Sequence, residues 1–233
     1  MEERLLFGGL LLPNRKVIPL RPPSLCGEIS ILDRSVIIYN SPEYEFGGKR
    51  RMEEKIVYFE KPGKENTGEV IKLVLQKAKL KNISRIVVAS TRGNTAKSFS
   101  EAVEGKDTHL VVVPWQFGFK GDGNPFPQEL VNELREKKHL VHFGTMLFHT
   151  TDLYGSNVPQ AMANLLRAFG QGTKVCIEII MMACDGGCIG IGEKVIAVAG
   201  TGSGADTAVL ATAAPSTKIT SLRIHEIICK PIL

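Results

Sequence analysis

The sequence predicts an α/β fold of three layers, in which helices cover both faces of a mostly parallel sheet with an antiparallel edge. From residue 52 onward, short β-branched runs alternate with longer amphipathic segments, a pattern typical of β-α-β units. Near the end, two apolar runs are separated by one glycine-rich turn. So short a turn can only join antiparallel neighbours, so the sheet is expected to be mixed at that edge.

Short β-branched or apolar runs bounded by turn residues predict the strands. In chain order these strands are residues 56–59, 85–89, 109–113, 140–143, 194–199, 207–213 and 221–229. A long loop at residues 115–127 follows the third strand and holds Gly118, Gly121, Gly123 and Pro125. Residues 144–157 are expected to be irregular.

Apolar residues at helical spacing predict the helices. The first, residues 65–80, has Val70, Leu73, Val74 and Ala78 on one stripe. Two more follow at residues 94–104 and 128–138. A fourth, residues 159–169, opens on a proline at a first-turn position.

Residues 174–184 are ambiguous on local pattern. Their valine and isoleucine content favours a strand, whereas their length and the Gly186-Gly187 stop favour a helix. We assign a helix.

Residues 1–51 differ in residue pattern from the rest of the chain and are predicted to form an N-terminal appendage. They contain early prolines and a candidate strand at residues 35–39. Residues 52–233 begin like a complete domain. One hypothesis is therefore that the functional protein starts at Met52 and that the preceding residues are an over-extended reading of the gene.

Charge and cysteine content narrow the function classes. The chain has 233 residues and a net charge of +5, too mild to require nucleic acid but compatible with an anionic small molecule. The apolar run at residues 5–12 is too short to span a bilayer, so no membrane association is expected. Five cysteines in a chain with a sizeable apolar core indicate reduced thiols and a cytoplasmic protein.

Four residues in the last quarter of the chain are candidate zinc ligands, namely Cys184, Cys188, His225 and Cys229. Their spacing is not that of a zinc ribbon or finger, and we expect no metal.

The sharpest local signal is the junction between the strand at residues 85–89 and the helix that follows it. Backbone amides and the positive end of a helix dipole attract phosphate at such a point. The alternative is an ordinary helix cap made by Asn94 or Thr91. The candidate phosphate contacts are Ser90, Thr91, Arg92, Gly93, Asn94 and Thr95.

Two other loops follow the carboxyl ends of strands, where open α/β sheets bind ligands. The glycine-rich loop at residues 200–207 is either a tight hairpin or a ligand loop, and the loop at residues 60–67 precedes a helix. Their candidate contacts are Thr201, Gly202, Asp206 and Thr207 in the first loop and Asn66 and Thr67 in the second.

Aromatic and acidic residues near these loops suggest further roles. Trp115, Phe117 and Phe119 could stack on a planar ligand, with Gly118 beside them, although packing is the usual role of such rings. Glu178 and Asp206 are candidate proton-transfer groups, although for Glu178 a solvated or capping role is the alternative.

Residues 52–233 resemble the C-terminal α/β domain of pyruvate kinases, and most closely the small stand-alone proteins built from this domain only. The resemblance rests on the order and spacing of residues 57–67, 87–96, 174–186, 193–209 and 226–231. It implies that residues 90–95 and 200–207 together form an anion site, and that residues 174–185 are helical. Residues 1–51 have no counterpart.

The resemblance also suggests a ligand. The stand-alone relatives resemble flavin mononucleotide (FMN) binders, which would place a phosphate at residues 90–95 and a flavin ring near residues 115–119. Pyruvate kinase catalysis is not expected, because that chemistry belongs to a barrel domain of about 250 residues that 51 leading residues cannot encode.

Three hypotheses follow. The first is a cytosolic protein that binds a phosphorylated small molecule, with FMN as the leading candidate. The second is an enzyme that uses the bound flavin or phosphate ester, and the third is a regulatory subunit of a separate catalytic chain. A homo-oligomer is compatible with each.

Overall fold

One sheet holds every strand in the part of the chain that the structure describes. The structure is a computed structural model that describes residues 53–232 and a short strand at Val36–Ile37. In chain order the strands are β1 (Val36–Ile37), β2 (Val57–Phe59), β3 (Arg85–Ala89), β4 (His109–Val113), β5 (Leu140–Val141), β6 (Lys194–Ala199), β7 (Thr207–Thr212) and β8 (Arg223–Pro231). Across the sheet they lie in the order β1-β2-β8-β7-β6-β3-β4-β5.

Six α-helices accompany these strands within the described residues. They are α1 (Thr67–Lys81), α2 (Asn94–Ala102), α3 (Gln128–Glu136), α4 (Thr151–Tyr154), α5 (Val158–Arg167) and α6 (Gln171–Asp185). Short 3-10 helices lie at Lys64–Asn66 and Ser216–Ser221. The sequence pattern missed α4, which lies in the stretch expected to be irregular, because one helical turn is too short to show a periodicity.

The pairing confirms a mostly parallel sheet with antiparallel strands. Strands β3, β4, β5 and β6 pair in parallel, and so do β2 and β8. The glycine-rich turn joins β6 and β7 as antiparallel neighbours, as predicted. Strand β7 is also antiparallel to β8, and β1 is antiparallel to β2 at one edge, so β7 itself lies inside the sheet.

Helices cover both faces of the sheet. On one face, Val74 of α1, Phe99 of α2 and Leu134 of α3 belong to the same buried cluster as Ile86 of β3. On the other face, α6 packs Ile180 against a second cluster. Consecutive residues of β3 point to opposite faces, because side chains alternate along a strand. The three-layer arrangement is therefore present in the described residues.

Segment α6 is a helix, which resolves the ambiguity of residues 174–184. Eleven of its 15 residues are buried, and it contacts β6, β7, β3 and α5. Its β-branched residues have a low intrinsic helix propensity, but burial between the sheet and other helices outweighs this preference. Lys174 and Glu178 are four residues apart and form an ion pair, which also favours the helix.

The N-terminal assignments fall mostly outside the described residues. The candidate strand at residues 35–39 is represented by Val36–Ile37, which pairs with Tyr58 and Phe59 of β2. The division at Met52 and the appendage at residues 1–51 are not described further. Among the described residues, no helix has the length and apolarity needed to cross a membrane.

A buried histidine between α3 and β5 predicts a pH-dependent stability. His139 is buried, and its Nδ1 accepts a hydrogen bond from the Leu110 N–H at 3.3 Å. Burial lowers the pKa of His139, and the nearby His109 and Lys137 lower it further. The unfolded chain therefore binds a proton more readily than the folded chain below about pH 6.5.

We expect the free energy of unfolding to fall as the pH drops below about 6.5, towards the lowered pKa of folded His139. The variant H139N should show a shallower slope when unfolding is measured by urea titration at successive pH values. The variant V74A, which loses only core contacts, should be less stable but keep the wild-type slope. Equal slopes in H139N and the wild type would contradict this role of His139.

Candidate functional site

A cavity of about 330 Å³ opens at the carboxyl ends of β3, β4 and β6. Its wall includes Ala89 and Val113, the last residues of β3 and β4, and Gly200, which follows β6. After β3 the chain continues towards β4, whereas after β6 it turns the other way, towards β7. A crevice forms at such a switch point, and the volume lies in the range of small-molecule sites.

The loop between β3 and α2 supplies one side of the cavity. The predicted contacts that line it are Ser90, Thr91, Arg92, Asn94 and Thr95. Backbone N–H groups in the first turn of a helix have no intrahelical acceptor, so this end of α2 can bind an anion.

The helix cap comes from a residue other than those expected. The Oγ of Ser90 accepts the Ala96 N–H at 3.2 Å, whereas Asn94 and Thr91 make no such bond in the structure. Gly93 does not line the cavity. It has a φ of +90°, and an added Cβ would lie 2.4 Å from Cδ2 of Leu130, so it shapes the loop from behind.

The glycine-rich loop supplies another part of the cavity wall through Gly200, Gly202, Ser203 and Gly204. It is also the connection of an antiparallel hairpin, so both interpretations of its sequence apply. Ser90 and Gly202 thus face one cavity, as the convergence of loops predicts.

Three predicted contacts in this loop do not line the cavity, because they hold the loop together. Asp206 is fully buried, and its Oδ2 accepts the N–H groups of Thr201 at 2.9 Å and Gly63 at 3.1 Å. Its Oδ1 accepts the hydroxyl of Thr207 at 2.7 Å. The carboxylate of Asp206 is therefore committed to internal hydrogen bonds and is not placed for proton transfer to a ligand.

The loop at residues 60–67 supports the site from outside. Thr67 Oγ1 accepts the Ala205 N–H at 3.0 Å, which ties the start of α1 to the glycine-rich loop. Asn66 donates its side-chain amide to the Lys61 carbonyl at 2.8 Å. Neither Asn66 nor Thr67 lines the cavity, so their predicted contact with a ligand is not supported by their placement.

The aromatic wall consists of Trp115 and Phe119 rather than Phe117. The rings of Trp115 and Phe119 are 5.1 Å apart in an edge-to-face arrangement, and both line the cavity. Phe117 is 63% exposed and packs against Phe143 outside it. The chain turns at Phe117 and Gly118, which carries both residues away from the site.

A buried charged cluster in α6 and the segment between β5 and α4 is the part of the site that sequence analysis underestimated. The Lys174 ammonium and the Glu178 carboxylate are almost fully buried, and Nζ lies 2.6 Å from Oε2. Glu178 Oε1 also accepts the Phe148 N–H at 2.9 Å. Lys174 Nζ lies 3.3 Å from Nε2 of His149, and all three residues line the cavity.

The sequence did carry a signal for this cluster. Lys174 and Glu178 are four residues apart in a helix whose other positions are almost all apolar. Charges on a buried helix are costly unless they are paired, and the pair often adds little stability. A charged pair in an otherwise apolar helix therefore points to a site.

Burial and the neighbouring charges determine the protonation of His149 in this cluster. Burial lowers the pKa of His149, the charges of Lys174 and Arg167 lower it further, and the charge of Glu178 raises it. His149 is therefore neutral at pH 7, and since an ammonium has only donors, Nε2 of His149 accepts from Lys174. Among the described residues Lys174 Nζ has two hydrogen-bond acceptors, Glu178 and His149, and the Phe148 ring lies 5.1 Å away, so its third N–H donor is not used in a hydrogen bond within this part of the chain.

The cavity is rich in positive charge. Arg92, Arg167 and Lys174 are the cationic residues on its wall, and Glu178 is its acidic residue. Because Glu178 is already paired with Lys174, the wall carries excess positive charge. In a partly enclosed site this charge attracts an anion more strongly than it would in open water.

None of the described cysteines lines the cavity. Burial raises the pKa of the Cys229 thiol to about 12. Over residues 53–232, no three His, Cys, Asp or Glu side chains cluster in a way that could hold a metal ion.

These features define a class of molecule: a three-layer α/β protein with a cation-lined cavity at the carboxyl ends of its strands. No protein-family model matches the chain. Among solved structures, it is similar to the Cryptosporidium parvum pyruvate kinase in complex with ADP, at 12% sequence identity and a TM-score of 0.29. The match covers 69% of this chain but only 23% of that pyruvate kinase chain. At this TM-score the similarity carries no argument about activity.

The buried carboxylate of Asp206 predicts a large effect on stability. D206A leaves the Gly63 and Thr201 N–H groups without their acceptor, and we expect the free energy of unfolding to fall by about 3 kcal/mol. D206N keeps one oxygen acceptor and should lose less. The control D122A changes an exposed aspartate and should stay within about 0.5 kcal/mol of the wild type. Urea unfolding measures all three, and a D206A value close to that of D122A would exclude this role for Asp206.

Proposed function

We propose that this protein binds a phosphorylated small molecule in the cavity at the ends of β3, β4 and β6. The observation that carries the proposal is the meeting, in one cavity, of the first turn of α2 with the side chains of Arg92, Arg167 and Lys174. A helix N-terminus and cationic side chains around one space favour a group with concentrated negative charge.

The phosphate is assigned to the β3–α2 loop. Thr91 and Thr95 offer hydroxyl donors there, and Arg92 adds a charge-assisted contact. The Ser90 hydroxyl lines the same space and can still donate, because its hydrogen bond with Ala96 uses it only as an acceptor.

FMN is the leading ligand. Trp115 and Phe119 give the cavity an aromatic wall against which a planar ring can pack. The unused donor of Lys174 can meet a carbonyl oxygen or ring nitrogen of such a ligand. The resemblance of residues 52–233 to stand-alone pyruvate kinase C-terminal domains supports the same choice, without implying pyruvate kinase catalysis.

A cytoplasmic location fits this proposal. The cysteines in the described part of the chain are free thiols, three of them buried. Reduced thiols are typical of proteins in a reducing compartment.

A second candidate function is an enzyme that acts on a bound phosphate ester or flavin, favoured by the buried cluster around Lys174. Of the two groups that the sequence suggests for proton transfer, Asp206 does not line the cavity. Glu178 has both oxygens engaged and holds Lys174 in place. His149 is neutral and lines the cavity, so we assign proton transfer to it.

The binding proposal predicts that FMN binds more tightly than riboflavin, which has the same ring but no phosphate. R92A should weaken FMN by about tenfold, in line with the loss of one charge-assisted hydrogen bond. The matched control K97A removes an exposed positive charge from α2, and its Kd for FMN should be close to that of the wild type. Quenching of flavin fluorescence on titration gives each Kd.

An absorption spectrum of the purified protein provides a first check, because retained flavin gives its own visible bands. Equal affinities for FMN and riboflavin, or equal effects of R92A and K97A, would contradict a phosphate site in this loop. If the protein is colourless and sugar phosphates raise its melting temperature, the ligand is another phosphate ester and not FMN. A protein that responds to neither would favour the third hypothesis, a regulatory subunit.

His149 predicts a pH dependence of binding. An anion in the cavity favours the protonated imidazole, so FMN binding should take up more protons in the wild type than in H149Q between pH 7.5 and about 6. The two proteins are compared because the phosphate of FMN itself also titrates at about pH 6, and H149Q should still bind at pH 7.5. Calorimetry in two buffers of different ionisation enthalpy measures the proton uptake, and equal uptake by the two proteins would contradict the assignment.

The enzyme candidate is tested by phosphate release from FMN and sugar phosphates, followed by a colorimetric assay. If His149 is the base, turnover should fall as the pH drops through its pKa, and H149Q should abolish turnover but not binding. Absence of turnover leaves the binding function as the conclusion.

A further inference from the structure

Helix α5 exposes several large apolar residues and buries a small one. Its inward side presents Ala163, which packs in a small cluster with Phe148 and Met181. Four larger apolar residues are exposed at spacings of four, three and four along α5 and the turn that follows it: Val158, Met162, Leu165 and Phe169. These spacings define one stripe of a helix. A surface helix ordinarily buries such a stripe.

Helix α4, which contacts α5, adds the exposed residues Leu153 and Tyr154. We call these six residues the α4–α5 surface. They make up half of the large apolar side chains that are exposed among residues 53–232. The other exposed apolar residues, such as Leu80 and Phe117, are scattered over the rest of this region.

The size of this surface can be compared with known interfaces. The six exposed fractions correspond to roughly 700 Å², if a large apolar side chain has about 200 Å² of surface. The largest apolar patch of a typical monomer is about 300–600 Å², whereas each partner of a standard interface buries about 800 Å². The α4–α5 surface is therefore close to what one side of a stable dimer needs.

We propose that the α4–α5 surface pairs with the same surface of a second copy of this chain, with the two α5 helices antiparallel across a two-fold axis. This inference does not depend on the proposed ligand. It specifies where the molecule self-associates.

The charges of the segment support this occupant. From residue 151 to residue 169 the charged residues are Asp152, at the start, and Arg167, which lines the cavity and bonds to Asn164 and Gln171 on the other side of α5. The apolar stripe itself therefore carries no charge, and antiparallel pairing keeps the Asp152 residues of the two copies at opposite ends, so no like charges meet. An isologous interface needs such self-complementarity.

The same composition disfavours a lipid surface. Helices that lie on membranes carry several lysines or arginines on their polar face to meet anionic headgroups. The polar face of α5 carries Gln160 and Asn164 instead, and these residues bond to each other at 3.1 Å.

The experiment measures the mass of the full-length protein in solution by light scattering after gel filtration, at about 10 μM. We expect a dimer for the wild type and a monomer for L165E. The control is L80E, because Leu80 is 69% exposed and Leu165 70%, but Leu80 lies on α1, across the sheet from α6 and α5. L80E should remain dimeric, and circular dichroism should show that both variants are folded.

A cysteine variant tests the two-fold geometry. Met162 lies near the middle of the α4–α5 surface, so M162C should form a disulfide with its counterpart on mild oxidation. The variant L80C should not.

Each other outcome overturns the proposal. A monomeric wild type excludes self-association, and a dimer that survives L165E places the interface elsewhere. Dissociation by both L165E and L80E shows an unspecific effect of charge. If the protein is a monomer that binds phosphatidylserine vesicles through Leu165, the partner of this surface is a membrane. If it is a monomer in which residues 1–52 protect Leu165, the partner is the chain's own N-terminal segment.

Discussion

One buried carboxylate joins the loops on which the candidate site depends. Asp206 accepts backbone N–H groups from two loops that are far apart in the sequence, at Gly63 and Thr201. It also accepts the hydroxyl of Thr207, so each of its two oxygens accepts at least one hydrogen bond. A buried charge is tolerated only when its hydrogen bonds are made, which leaves little freedom for these loops to move apart. The glycine-rich wall of the cavity is held in place for this reason.

The second constraint is the close approach of α6 to the start of β7. Gly172 lies in the first turn of α6, and an added Cβ there would be 2.1 Å from Oγ1 of Thr207. Because glycine has no Cβ, the helix can lie against the hairpin and bring Lys174 to the cavity wall. The site thus combines a loop fixed by Asp206 with a helix whose charged pair is almost fully buried. Such a pair adds little stability by itself.

Several residues predicted to contact a ligand lie away from the cavity for the same reason. Thr67 and Asp206 use their polar side chains on a neighbouring loop, and Thr207 uses its hydroxyl on Asp206 beside it. Phe117 and Phe119 are equivalent in an alternating pattern, but a turn places only Phe119 in the cavity. In each case the residue type was informative about polarity or size, whereas the direction of the side chain depended on the path of the chain. Lys174 is the opposite case: its charge in an apolar helix indicated a site, but it was not among the predicted site residues.

The strands and helices around the sheet follow from the sequence itself, since the alternation of β-branched runs and amphipathic stripes is a local property of the chain. The bounds of β3, β4 and β6 agree with that pattern residue by residue. The choice of helix for α6, the position of β7 inside the sheet and the meeting of Lys174 with His149 were decided only by tertiary structure. These features depend on contacts between segments far apart in the sequence, and burial there outweighs local propensity.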